Sequence, residues 1–150
     1  MIAVAALQVL PGEEPVPTYV MSPANAGATP LEGDANWRAF HGEAGVRRIV
    51  EDLLERNQAD PRIADIFKGQ DLVRLRRTLG EHFCYVLGGG CTYTGRSMKD
   101  AHRDMGLQHA DMGALVENLQ AAMRAEGVAF SAQNRLLAKL APMKRQVVER

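Results

Sequence analysis

The sequence predicts an all-α fold, and three observations carry that expectation. Apolar residues recur at i, i+3, i+4 and i+7 spacing through separate long segments. No segment of useful length alternates with period two. A run of three glycines, Gly88–Gly89–Gly90, cuts the helical pattern near its middle, where it offers left-handed conformations and no helix propensity.

Taken in order, the elements begin after a distinct leader. Five of the seven prolines (Pro11, Pro15, Pro17, Pro23, Pro30) fall in the first thirty residues, mixed with Gly, Ala, Ser and Thr. That composition reads as an unstructured leader over 1–34, with the folded domain expected over 35–150 and beginning near Asp34–Trp37. The start, MIAVAALQVL, is apolar but lacks the basic region of a secretory signal, so it reads as a tail rather than a degenerate signal segment.

Gly42–Asn57 places Val46, Ile49, Val50, Leu53 and Leu54 on one helix face. Asp60-Pro61 ends it and opens a short segment through Ile63, Ile66 and Phe67, stopped by Gly69. Asp71 is expected to cap a helix over Leu72–Leu87, whose apolar positions include Leu72, Leu75, Leu79, Phe83 and Val86. After the glycine break come two further helices. Leu107–Ala125 is closed by Glu126-Gly127, and Ser131–Val148 is expected to bend at Pro142.

Composition narrows the function. At 150 residues the chain is one domain with room for an aliphatic core, since 46% of it is hydrophobic and only 5% aromatic. Lys plus Arg balances Asp plus Glu at 18 each, so no net field attracts nucleic acid or an anionic membrane. Sparse aromatics also disfavour base stacking. No apolar run reaches the ~18 residues of a membrane span, and a cytoplasmic location is expected, periplasmic if the leader is a remnant signal. Cys84 and Cys91 lack zinc spacing; they read as a buried helix thiol plus a loop thiol, a single bridge being the alternative.

The stretch that carries chemistry is GGGCTYTGRSMKDAH, Gly88–His102. Four histidines exist (His41, His82, His102, His109), with no HExxH, P-loop or GxSxG. A three- or four-ligand metal site is therefore hard to build. An iron held mostly by porphyrin nitrogens needs only one protein ligand. A lone histidine near a helix start is ordinarily a capping or solvated residue. His102 differs, because a long glycine-rich loop precedes it and sets one short segment. Tyr93 is expected to anchor that loop through its hydroxyl. The methionines Met98, Met105, Met112, Met123 and Met143 read as core packing and cavity lining. Arg74, Arg76 and Arg77 with Lys68 read as a solvated basic face.

From Trp37 to Val148 the chain resembles a group I truncated haemoglobin. The matching words are HGEAGVRRIVED at 41–52, ADPRIADIFKG at 59–69, GGGCTYTGRSMKDAH at 88–102 and LLAKLAP ending at Pro142. The resemblance implies a two-on-two helical sandwich around haem b, iron protoporphyrin IX, with His102 as proximal iron ligand. It implies that Phe67 stacks on the haem and that Leu75, Leu79, Leu107 and Leu140 contact it. Lys99 and Arg96 fall where a cation meets a propionate. Leu54, Leu75, Leu79 and Phe83 fall in the distal ligand pocket.

Three departures from the family pattern matter. Many relatives put tyrosine at the position of Leu54 and a polar group at Leu75 or Leu79, donors that hold O2; here all three are leucine. Thr78 stands where some relatives supply a second histidine ligand, and His82, one turn on, reads as an edge or surface histidine. His41 replaces a glycine before the second helix, straining or shifting that turn. The resemblance implies reversible binding of O2, CO and NO. The alternatives are a nitric oxide dioxygenase working with an electron-donating reductase, or a helical regulatory domain that has lost haem.

Overall fold

Helix α2, Gly42–Ala59, is the element on which the others are laid. In a computed structural model that describes residues 10–149 and the backbone of Ala3–Val4, it packs against α4 (Leu72–Val86) and α6 (His109–Ala125). Helix α7 (Phe130–Leu140) lies on α6, so the long helices form two pairs. The short helices α1 (Ala35–Ala39), α3 (Ala64–Phe67), α5 (Met98–Ala101) and α8 (Lys144–Val147) join and close them. A two-residue antiparallel pairing sets Ala3 opposite Met21 and Val4 opposite Val20, too short to form a layer.

The apolar stripe of α2 becomes the core as expected. Ile49, Leu53 and Leu54 are almost wholly buried, and they meet Phe83 and Val86 of α4 and Leu119 and Met123 of α6. Asp71 caps α4, its Oδ1 accepting from the Arg74 amide at 3.0 Å. The predicted helix over 131–148 is split: α7 ends at Leu140, a 3-10 turn spans Ala141–Met143, and α8 follows. Pro142 has no N–H to continue the α ladder, which places the break there. Helix α6 starts at His109 rather than Leu107, where the Gln108 amide donates to Asp111 Oδ2 at 2.9 Å.

His41 takes the left-handed conformation expected of the glycine it replaces, with φ of 64°. Its Nδ1 lies 2.8 Å from Glu126 Oε2, and the Arg48 guanidinium donates two bonds to the same carboxylate. That staple holds the turn. Arg48 chiefly, then His41, brings the Glu126 carboxyl down to about 2.

The cysteine expectation is corrected. Cys84 and Cys91 form a disulfide, with Cα atoms 5.6 Å apart. The last turn of α4 and the glycine turn fold the chain back on itself. Gly89 makes this approach, since a Cβ there would sit 2.7 Å from both Cys84 Sγ and the Trp37 ring.

Residues 10–33 form few regular elements, in keeping with their composition, yet they pack firmly. Residues 1–9 of the predicted leader, apart from the Ala3–Val4 backbone, lie outside the described residues. The described part runs along α4 and the loop that follows it. A 3-10 turn, Pro23–Ala26, rests on α4, and Ala26 is fully buried. Gly88, at φ of 83°, lies beneath the carbonyls of Leu31 and Gly33, each 2.7 Å from where a Cβ would project.

Candidate functional site

The glycine turn releases the chain from α4 into an irregular loop, 88–97, that ends on α5. Ser97 caps this one-turn helix through Oγ, which accepts from the Asp100 amide at 3.1 Å. Upstream, the buried Tyr93 hydroxyl donates to the Arg96 carbonyl at 2.7 Å, so the loop is anchored as the sequence implied. Burial pushes the Tyr93 phenol up, keeping it a donor.

His102 follows α5 directly. Its Nδ1 lies 2.7 Å from the Met98 carbonyl oxygen, one turn back. A carbonyl can only accept, so Nδ1 carries the proton and Nε2 keeps its lone pair. Nε2 has no hydrogen-bond partner among the described residues. Burial lowers the His102 pKa, which favours neutral imidazole. One nitrogen fixed and the other free is the arrangement of a metal-ligating histidine.

The predicted pocket residues divide into two sets. Leu54 and Phe83 belong to the buried core, while Leu75, Leu79 and Leu140 are half-buried and packed against it. These form one apolar surface with no side-chain donor among them, and Thr78 Oγ1 is spent on the Arg74 carbonyl at 2.9 Å. Phe67 is half-buried at the end of α3, and Leu107 is buried, both outside that cluster. Arg96 is half-buried and Lys99 exposed; neither makes an ion pair among the described residues.

His82 is not an edge or surface residue. It is buried on α4, its ring edge-on to Tyr93 at 5.4 Å between centroids and to Phe83 at 6.0 Å. Its Nε2 lies 2.7 Å from the Ala26 carbonyl, a partner supplied by the leader. Burial lowers its pKa, and His102 is near enough to add to that effect.

The basic face of α4 is also corrected. The Arg74 and Arg77 side chains are only 10% and 11% exposed, and both reach Glu13, whose side chain is 0% exposed. Arg77 clasps that carboxylate with two bonds of 2.9 Å. Arg76 pairs with Glu51 and Lys68 with Asp65 on the surface. Sequence reasoning missed Glu13, Tyr19 and Ala26, because a proline-rich stretch gives no periodicity from which to read a docked face. The only signal was two arginines at i, i+3 on a helix that otherwise turns leucines inward.

A family model described as bacterial-like globin matches residues 37–149. The chain is 30% identical over 102 residues to the group 1 truncated hemoglobin of Mycolicibacterium paratuberculosis, covering 68% of this chain and 75% of that protein. The truncated hemoglobin of Tetrahymena pyriformis in its Fe(III) form superposes with a TM-score of 0.73 at 24% identity, covering 77% of this chain and 98% of that one. A Synechococcus 2/2 hemoglobin, solved in the cyanomet state with covalently attached heme, gives a TM-score of 0.71 at 24% identity over the same shares. Two helix pairs, a loop that presents one imidazole, and these matches place the chain in the bacterial-like globin family, among the group 1 truncated haemoglobins.

Proposed function

We propose that the chain is a haem-b protein that binds diatomic gases reversibly, with His102 as the protein ligand to iron. The observation that carries this is the His102 imidazole itself: Nδ1 held by the Met98 carbonyl, Nε2 unpartnered, the ring mostly buried and neutral. The donor set fits a group that brings its own four nitrogens and asks one of the protein. When bound, the haem supplies an iron with one position open to O2, CO or NO.

The chain's residues do the rest. The hydrogen bond from Nδ1 orients the ring and raises the basicity of Nε2. Leu54, Leu75, Leu79 and Phe83 offer an apolar surface that excludes water and gives an arriving ligand no hydrogen bond. Phe67, Leu107 and Leu140 supply apolar contact to the macrocycle. Arg96 and Lys99, with no ion-pair partners among the described residues, are available to the propionates.

The leucine surface favours binding and release over dioxygenase turnover, because a nitric oxide dioxygenase needs O2 held long enough to react. The His102 geometry likewise disfavours a regulatory domain that has lost haem. The Cys84–Cys91 bridge favours an oxidising compartment, which shifts weight from the cytoplasmic expectation to the periplasmic alternative.

The test is a visible spectrum of the haem-reconstituted protein, reduced and then exposed to CO. A shift between reduced and CO-bound forms that is lost or altered in His102→Ala supports the assignment. A His102→Ala protein with an unchanged spectrum overturns it.

A further inference from the structure

The leader is the part of the described chain that the family match, which starts at residue 37, does not include. It touches the site at several named points. The Tyr19 hydroxyl donates to the Thr94 carbonyl at 2.5 Å, and Asn25 Nδ2 donates to the Gly95 carbonyl at 3.3 Å. Gly27 lies against Met98 and Met143, whose Cγ atoms are 3.4 Å from where its Cβ would be. The Ala26 carbonyl engages His82.

A second chain of contacts runs through charge. Glu13 binds Arg77, Arg77 Nη1 donates to Thr94 Oγ1 at 2.7 Å, and the Thr94 amide and hydroxyl both bind Glu81 Oε1. The leader thus bonds residues 94 and 95 of the loop and packs against residue 98, the first of α5. Residue 98 is the one whose carbonyl fixes His102.

We infer that segment 10–33 is a strap that positions the proximal loop, with Glu13 as its latch, and so sets the His102 imidazole. This inference rests on the haem reading above. A passive arm lying on the surface would not bury a carboxylate. An ionised group taken out of water is tolerated only where partners and hydrogen bonds replace the lost hydration. Glu13 meets that condition only while the strap lies in this register, against Arg74 and Arg77. The latch therefore selects one docked position of a segment that has almost no regular structure to do so. Glu13 and Tyr19 are positioning residues, since they act on His102 through Thr94 and the loop that leads from it into α5.

The experiment uses the full chain, reconstituted with haem, as wild type, Glu13→Gln and Tyr19→Phe. Three quantities are read: the iron–histidine stretching band of the reduced, ligand-free protein by resonance Raman, the rate of haem transfer to excess apomyoglobin, and hydrogen exchange at the amides of residues 92–102. Glu126→Gln, in a separate ion pair, controls for loss of stability alone. Glu13→Gln is expected to shift the band, speed haem loss about tenfold and deprotect the loop. The scale is set by removing from two buried arginines the carboxylate they share, with Glu81 and Asp71 left as their remaining counter-charges. Tyr19→Phe should move the same readouts in the same direction by less. The control should move none.

The inference is overturned if both strap variants match wild type in band, transfer rate and loop exchange, or if Glu126→Gln shifts them equally. Should Glu13→Gln fail to fold, Tyr19→Phe, which removes a single hydroxyl, decides alone. If the wild-type chain takes up no haem, the haem reading fails by itself. Loop exchange in the haem-free protein then judges the strap: faster exchange in the variants supports it, and equal exchange refutes it.

Discussion

The two sides of the candidate site are built from opposite materials. The side carrying His102 is tied by directional bonds: a disulfide at Cys84–Cys91, a phenol on Arg96, a strap on Thr94 and Gly95, and a carbonyl on the imidazole itself. The side proposed for the ligand, with Leu54, Leu75, Leu79 and Phe83, contains apolar carbon only. On the proposed reading one side holds a single atom in one place, which needs bonds with direction. The other, on the same reading, admits a small gas, which needs shape and the absence of competing water. Rigidity and permissiveness are thus separated across the site rather than blended.

The largest expected effect comes from breaking the directional side. His102→Ala removes the one protein donor proposed for the iron, and haem affinity should fall by about two orders of magnitude, about 2.8 kcal/mol at ~1.4 kcal/mol per decade. Competitive transfer to apomyoglobin measures it. Added imidazole should restore part of the wild-type spectrum if the loss is that of a ligand rather than of the fold.

Giving direction to the apolar side is the converse experiment. A hydrogen bond to a ligand carrying partial negative charge contributes about 1–3 kcal/mol. Leu54→Tyr or Leu75→Gln should therefore slow O2 release by roughly 5- to 150-fold in stopped flow. Leu75 is the safer position, being half-buried where Leu54 is wholly enclosed. Slow release from the wild-type protein would contradict the contrast drawn between the two sides.

The same contrast explains what could be read from sequence. The apolar side was legible because its residues sit on α2 and α4 at helical spacing, and spacing is a local property. The short segment that ends on His102 was legible from its loop, and Asp71, Gly127 and Pro142 announced helix ends through backbone chemistry alone. The bonds that tie the directional side were not. Glu13 and Arg77 are 64 residues apart, Tyr19 and Thr94 are 75, and Ala26 and His82 are 56. No periodicity links partners at such separations. Proline-rich composition correctly implied little regular structure over 10–33, but an extended chain can still dock through its side chains. The Cys84–Cys91 bridge depended on how sharply three glycines turn the chain, which composition permits without dictating.

A smaller effect should follow from cutting the covalent tie. The bridge closes a loop with a sequence separation of seven, for which chain entropy gives about 2–3 kcal/mol. Reduction by dithiothreitol, or Cys91→Ser, should lower Tm by roughly 5–10 °C in a chain of this size. Cys91 is exposed, so the reductant can reach it. If the tie serves the directional side in particular, exchange at residues 88–97 should accelerate more than exchange in α2. Uniform acceleration would mean that the bridge stabilises the whole fold and not the loop.

The smallest effect supplies the reference against which local changes are judged. Glu126, stapled to Arg48 and His41, ties the turn before α2 to the end of α6 and touches neither side of the site. Its carboxyl lies at about 2 in the folded chain against an ordinary 4.5. A folded pKa below the unfolded one means that the stabilisation is fully present above about pH 4.5 and is lost as pH falls toward 2. Glu126→Gln should then lower Tm by a few degrees at neutral pH, since a solvent-screened pair contributes about 1 kcal/mol or less. That difference from wild type should close between pH 4.5 and 2. A difference that stayed constant through that range would assign the staple's effect to packing rather than charge. Haem loss and O2 release should be unmoved at neutral pH, because the staple holds the helical frame and neither face of the site depends on its charge.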